Sequence, residues 1–257
     1  MLRAADKRLF TSGQLENVFS GQPGGLVKAV PSRMFGPSPP VAGYVGWYDA
    51  SNLANFTNTG HDITAWIDRS GNANDLTVIS GNPVLGRNYL GFPVVWFDGI
   101  SVMGNNISAS DRTFTSIACV LVTQINSGRA IIGPSGDGGN EFRINATTGQ
   151  ISTLRADVAI IGTQGNAAVS VGVPVVVAQV LTATDVTHYT NLVSETDADA
   201  NAFTAARVLR IGAAPTVISP FDAFSGWMGE IVLYDSSLSS GDVQSVISYL
   251  MTKWGVV

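Results

Sequence analysis

From Tyr44 onward the chain alternates short runs of β-branched and aromatic residues with clusters of Gly, Asn, Asp and Ser. The runs are YVGWYD (44–49), ITAWID (63–68), FPVVWFDG (92–99), TSIACVLVTQ (115–124) and RAIIG (129–133). They continue with EFRINA (141–146), QISTLRA (150–156), VPVVVAQVLT (173–182), VTHYTNL (186–192), RVLRIGA (207–213) and GWMGEIVLYD (226–235). Val, Ile, Phe, Tyr, Trp and Thr suit a pleated surface with packed faces, while SGNAN, GPSGDGGN, ATTG and TDADAN between the runs have turn compositions. Eleven short strands with almost no helical periodicity predict two packed antiparallel sheets or a barrel.

A helical pattern occurs once with conviction, in SSGDVQSVISYLMTKWGVV at the C-terminal end. Val243, Val246, Ile247, Leu250, Met251 and Trp254 recur at spacings of three and four, an apolar stripe able to dock on a sheet. Ser239 is placed to cap this helix, with Asp242 three residues on in the role of the usual Glu of a capping box. Lys253 falls in the last turn and Gly255 suits the C-cap. The helix is expected to close the domain with its Met and aromatic residues in the core.

Residues 1–43 break this pattern. GQPGGLVKAVPSRMFGPSPPVAG spreads five prolines and five glycines through irregular sequence, which opposes regular secondary structure and predicts an extended arm or linker. Charge reverses there too: five basic against two acidic residues in the arm, nine against seventeen in residues 44–257. Phe10, Leu15, Phe19, Leu26, Met34 and Phe35 need a dry surface that the arm cannot make alone, so an assembly contact through residues 1–43, with a homo-oligomer or a larger particle, is expected. The alternative is a flexible leader.

With 257 residues, 45% hydrophobic and 13% charged, the chain is long enough for a substantial core. Its net charge of -5 and only three lysines, at 7, 28 and 253, argue against nucleic-acid binding, which relies on clustered cations. One cysteine, Cys119, excludes an intramolecular disulfide and reads as a small buried hydrophobe. MLRAADKRLF lacks the apolar core of a signal peptide and no run of 18 apolar residues follows, so membrane insertion is not expected.

Candidate chemistry is sparse. His61 and His188 lie far apart beside a lone cysteine, without the ligand spacing of a zinc site. Ser135 in GPSGDG lacks the final glycine of a nucleophile elbow, and GDGGN (136–140) lacks the Gly-Lys-Ser or Gly-Lys-Thr ending of a phosphate loop. Glycosidic cleavage needs two carboxyl groups across a groove, most simply at i and i+2 on one strand, and no strand read above has such a pair. Glu230 interrupts WMGEIVLY, where Met228, Glu230, Val232 and Tyr234 would share a face; a solvated or hydrogen-bonded structural acid is expected. Calcium, which accepts carboxylates and carbonyls in irregular loops, has candidate ligands in Asp68, Asn72, Asn74 and Asp75 and in Asp197, Asp199 and Asn201, against the alternative of Asx-capped turns. No other cofactor is expected. A sugar would need an aromatic platform beside polar groups, for which Tyr44, Trp47, Tyr48, Trp66, Tyr89, Trp96 and Trp227 are candidates; core packing should claim most of them, and Trp47, Tyr48, Tyr89 and Trp227 are taken as the possible glycan contacts.

The order GYVGWYDASNL, ITAWIDRSGNANDLT, NPVL then GFPVVWFDGIS, and FSGWMGEIVLYDSSLSSGDVQSVISYLMTKWGV resembles the concanavalin A-like lectin/glucanase superfamily in its laminin-G-like form. The resemblance covers residues 44–257 and implies an all-β, two-sheet antiparallel jelly-roll sandwich with one C-terminal helix. It implies that Trp66 is core, that Asp68, Gly71, Asn72, Asn74 and Asp75 shape a turn, and that Asp49 and Asp98 are matching loop acids bonded to it. The closely spaced catalytic acids of the glucanases are missing, so no enzymatic activity is expected. Because such modules occur in bacteriophage virion proteins, the resemblance and the arm together imply a virion structural protein, a capsid decoration or tail or fibre component, made in a host cytoplasm and displaying a lectin-like sandwich. The alternatives are a free carbohydrate-binding module able to meet a cell-surface glycan and a degenerate glycan hydrolase.

Overall fold

The computed structural model describes residues 37–109, 113–125, 129–134, 140–155, 159–162, 167–198, 207–213 and 223–257. The arm positions Phe10, Leu15, Phe19, Leu26, Met34 and Phe35 lie outside these residues, as do Ser135, Asp199 and Asn201. Seventeen strands are present among the described residues. They begin with β1 (Gly46–Asp49), β2 (Phe56–Thr59), β3 (Asp62–Trp66), β4 (Leu76–Ser80), β5 (Val84–Tyr89) and β6 (Phe92–Asp98). They continue with β7 (Val102–Ala109), β8 (Phe114–Val122), β9 (Arg129–Pro134), β10 (Asn140–Ile144), β11 (Ile151–Arg155) and β12 (Ala159–Gly162). The last are β13 (Pro174–Leu181), β14 (Asp185–Thr190), β15 (Val193–Ala198), β16 (Arg207–Ile211) and β17 (Ser225–Tyr234), followed by helix α1 (Ser240–Trp254).

The pairings, all antiparallel, form two sheets of a jelly-roll-like sandwich. The first runs β15-β14-β13-β8-β17, and β17 pairs on its far side with β6 along its N-terminal part and β1 along its C-terminal part, β5 lying outside β6. The second runs β2-β3-β4-β7-β16-β9-β10-β11-β12, joined to the first by one pair, Asp62 with Val84. Strand β17 is buried along its whole length because it has a sheet neighbour on both edges, the second sheet on one face and α1 on the other. Tyr48, Phe97, Met103, Val120, Val177, Met228 and Ile231 are among the buried residues of the core cluster.

All eleven expected strands form, each within two residues of the expected ends. Strands β2, β4, β5, β7, β12 and β15 were not expected. β2 and β15 are edge strands, exposed at most positions, so they carry little of the apolar signal from which strands are read.

Helix α1 forms as its caps require. Ser239 Oγ accepts the Asp242 amide at 3.2 Å and donates to Asp242 Oδ2 at 2.7 Å, and Gly255 takes the left-handed conformation at φ 60°. Val243, Val246, Ile247, Leu250 and Trp254 are buried against the first sheet. Trp254 can lie flat there because residue 229 is glycine: a Cβ at Gly229 would sit 2.9 Å from the indole. A β-bulge at this glycine also changes which residues share a face. Trp227 is opposite Leu121 and Glu230 opposite Cys119, whereas Met228 is opposite Val120, so Glu230, Val232 and Tyr234 face the helix and Met228 faces the core. The expected common face of Met228 and Glu230 is therefore broken by one inserted residue.

Residues 37–43 run along this unit. Tyr249 donates its hydroxyl to the Pro37 carbonyl at 2.7 Å and Tyr234 donates to the Val41 carbonyl at 2.9 Å.

Candidate functional site

The polar stretch after Trp66 is a hydrogen-bonded turn organised by one carboxylate. Asp68 Oδ1 accepts the amides of Trp47 at 2.9 Å and Ser70 at 2.8 Å, while Oδ2 accepts the Ser70 hydroxyl at 2.6 Å and the Asn74 amide at 3.0 Å. Asp75 Oδ1 accepts the Asp68 amide at 2.8 Å, and the Asn72 and Asn74 side-chain amides donate to the carbonyls of Tyr44 and Val45 at 3.2 and 2.9 Å. The polar groups of this stretch thus fasten β1 to the turn after β3, and Trp66 is fully buried beneath them. Both Asp68 oxygens are occupied by N–H and O–H donors, the bonding of an Asx-capped turn. Of the second proposed calcium cluster, Asp197 lies within strand β15, and Asp199 and Asn201 lie outside the described residues. No group of three or more His, Cys, Asp or Glu able to hold a metal occurs among the described residues.

Beside the turn lies a buried charge centre under α1. Lys253 Nζ contacts Glu230 Oε2 at 2.6 Å and Asp49 Oδ2 at 2.9 Å, and both carboxylates are fully buried. Glu230 Oε1 also accepts Trp47 Nε1 at 2.7 Å and lies 3.1 Å from the Tyr249 hydroxyl, whose one proton it shares with the Pro37 carbonyl, and Oε2 accepts Trp254 Nε1 at 3.0 Å. Arg69 pairs with Asp49 at 3.3 Å and lies 4.5 Å from the centroid of the Trp47 ring. Two acids and two cations therefore balance in one network. Burial pushes the Glu230 carboxyl above the usual glutamate range, the Asp49 charge adds to this, and Lys253 and its other donors oppose it. Glu230 is a structural acid with no solvated face. Asp49 does bond to the turn, through Arg69, whereas Asp98 caps its own loop by accepting the amides of Ile100 and Ser101 at 3.1 and 2.9 Å. Lys253 was read only as a favourable charge at the helix end; its being the single lysine of residues 44–257 was the available signal.

The four aromatic residues proposed as sugar contacts separate into core and rim. Trp47 and Tyr48 are buried, Trp47 on Glu230 and Tyr48 donating to the Asn74 carbonyl at 2.6 Å, because a polar tip inside a core must find a partner. Trp227 is also buried, but Tyr89 stacks on it with ring centroids 4.9 Å apart and is itself half-exposed. Trp227 continues to Trp254 at 6.3 Å, and Trp254 meets Phe92 at 5.5 Å. Trp96, also among the candidate aromatics, pairs directly across from Trp227 on the same face and is half-exposed.

The next register row on this face is polar. Asp98 pairs with Ser225 two residues along β6 and β17, and Thr123 donates its amide to the Ser225 carbonyl at 3.0 Å. Thr123 and Ser225 share a hydroxyl hydrogen bond of 2.9 Å, and the exposed Gln124 donates to Ser225 Oγ at 3.3 Å. Trp96 and Asp98 are i and i+2 on one strand, about 6.8 Å apart along its axis. An apolar ring face thus stands roughly one sugar ring from carboxylate, hydroxyl and amide groups.

One further pair was missed. Glu195 and Asp197 occupy i and i+2 of β15, contrary to the expectation that no strand carries such acids. Glu195 pairs with His188 and Asp197 with Val186. His188 faces the core, its Nε2 bonded at 2.7 Å to Thr153 on the other sheet, so both acids point toward the space between the sheets and away from the outer faces. Burial lowers the His188 pKa to about 4.

No protein-family model and no curated protein sequence matches the chain. Solved structures do. Domain 4 of an extracellular GH43 arabinanase from Geobacillus stearothermophilus, in complex with arabinotriose, matches with a TM-score of 0.63 at 15% identity, over 80% of this chain and 98% of that domain. Trypanosoma rangeli sialidase in complex with sialic acid matches with a TM-score of 0.55 at 15% identity, over 85% of this chain and 34% of the sialidase. The ligand binding domain of botulinum neurotoxin serotype D, in complex with N-acetylneuraminic acid, gives 0.55 at 13%, over 80% and 50% of the two chains. The likeness is one of fold. It establishes the lectin-like jelly-roll β-sandwich implied by the sequence resemblance.

Proposed function

We propose that this chain is a non-catalytic carbohydrate-binding β-sandwich whose ligand lies on the helix-side face, against Tyr89 and Trp96. The observation that carries this reading is the adjacency, in one sheet register, of the half-exposed aromatic row with the polar row of Asp98, Thr123 and Gln124. A pyranose or furanose ring offers apolar C–H groups to an aromatic face and hydroxyls to acceptors beside it, and buried Trp227 and Trp254 hold that face rigid. The saccharide-bound domains that share this fold support the same reading.

The test is a glycan array probed with the full chain, followed by calorimetry on the retained glycan. Trp96→Ala and Tyr89→Ala are each expected to weaken binding at least tenfold, about 1.4 kcal/mol, with unfolding still cooperative. An array without hits, or a hit indifferent to both substitutions, overturns the proposal. Release of shorter sugars from that glycan would show hydrolysis and replace the non-catalytic reading.

An assembly role for residues 1–43, in a virion or another particle, is a separate proposal supported by the apolar residues of the arm. Light scattering tests its self-assembly part: the full chain should be an oligomer and a form lacking residues 1–36 a monomer, and two monomers would remove it.

A further inference from the structure

The outer face of the second sheet carries an arginine with no acceptor among the described residues. Leu209 and Ile211 of β16 are buried in the core, so the intervening Arg210 projects to the opposite face with Val208. Its register partners are Gly104 on β7 and Gly133 on β9, which have no side chains to place beside it. Ile79 lies across Gly104, where an added Cβ would come 2.4 Å from its Cδ1. Ile79 is 47% exposed and Val208 38%, so the face that carries Arg210 also exposes two aliphatic side chains.

Arg210 is half-buried, and its Nε is fully buried without a hydrogen-bond partner. Among the described residues its side chain makes no ion pair or hydrogen bond, in contrast to Arg69, held by Asp49, and Arg143, held by Glu141. A guanidinium has five donors and stays charged, and withdrawing it partly from water without an acceptor is unfavourable. Among the described residues the fully buried carboxylates Asp49 and Glu230 are, by contrast, paired with Lys253. We infer that Arg210 anchors a second ligand site, on the face away from α1, for an oxyanion: the carboxylate or sulfate of an acidic saccharide, or a free small anion of the same chemistry. Ile79 and Val208 share that face, and a partly desolvated guanidinium attracts an anion more strongly than one in water does.

The test is affinity electrophoresis of the full chain in gels containing polygalacturonate, dextran sulfate or neutral dextran. Because the chain carries a net charge of -5, a polyanion repels it overall, and retardation requires a local site. Retardation by at least one acidic polymer is expected, reduced at least tenfold in apparent affinity by Arg210→Gln and to an intermediate degree by Arg210→Lys, which keeps the charge but not the fork. Trp96→Ala should leave it unchanged, which separates this site from the aromatic one. Displacement by inorganic sulfate would identify the free anion as a sufficient ligand, and persistence would identify the polymer; either supports the site. Absence of retardation in both acidic gels, or an Arg210→Gln chain retarded like the unmodified one, overturns it.

Discussion

Removing the ammonium of Lys253 is the sharpest test of the buried charge centre. In Lys253→Met the stem is replaced by an apolar chain of similar length, while Asp49 and Glu230, both fully buried, lose the cation 2.9 and 2.6 Å away. Asp49 keeps Arg69, but Glu230 is left with neutral donors alone, the indoles of Trp47 and Trp254 and the Tyr249 hydroxyl it shares with the Pro37 carbonyl. Breaking a buried pair by deleting one partner typically costs about 3–5 kcal/mol, because the remaining charge stays desolvated. That is a large share of a total stability of about 5–15 kcal/mol. With a urea dependence near 2.5 kcal/mol per molar, the midpoint should fall by roughly 1.5 M.

The pH dependence adds an independent check. The folded-state pKa of Glu230 is raised by burial and held down by Lys253, so loss of the lysine moves it further up. An acid whose folded pKa exceeds its unfolded value of about 4.3 stabilises the fold below that pH and loses the contribution as pH rises through the folded pKa. The Lys253→Met defect should therefore be smallest near the unfolded value and grow toward neutral pH. Glu230→Gln in the same background should restore part of the loss, a coupling of about 1–3 kcal/mol. A midpoint shift under about 0.3 M, or a defect that does not change with pH, would refute the reasoning.

Trp254→Ala should cost about 3–5 kcal/mol in the same urea assay, since the ring is fully buried on Gly229; an effect near zero would show that α1 is peripheral. His188, with its pKa lowered to about 4 by burial, supports full stability above its unfolded value of about 6.5 and loses about 3 kcal/mol as pH falls through the folded value. His188→Gln should abolish that acid-dependent loss, and an unchanged pH profile would remove His188 as its source. Deleting residues 1–36 should leave unfolding cooperative with an unchanged midpoint. Extending the cut through residue 43 removes the Val41 carbonyl that Tyr234 donates to and leaves Tyr249 with Glu230 as its acceptor, and should cost about 1 kcal/mol; equal midpoints for the two truncations would show that this segment adds nothing.

The sandwich and the helix were legible because their signals are local. Runs such as TSIACVLVTQ and VPVVVAQVLT have a composition that only packed strands use, and Ser239, Asp242 and Gly255 sit where helix ends require them. The edge strands were not legible, since β15 reads VSETDA and pairs on one side only. Missing that strand also hid Glu195 and Asp197 as an i, i+2 pair. A turn composition and a polar edge strand use the same residues, and the pairing partner that tells them apart is not encoded locally.

The charged positions show the same division more sharply. Alternation along a strand says which face a residue takes, but one bulge at Gly229 reverses it and turns Glu230 from a neighbour of Met228 into the partner of Lys253. What each charge means is then fixed at long range: Glu230 is completed by Trp47, 183 positions away in sequence. Arg210 is the same kind of residue with the completing partner missing among the described residues, set on an outer face where a ligand can supply it. In a sheet protein with so few charges, each inward or half-buried one needs a partner to offset its desolvation. Glu230 finds that partner within the chain, and Arg210 leaves the position open to an anion from outside.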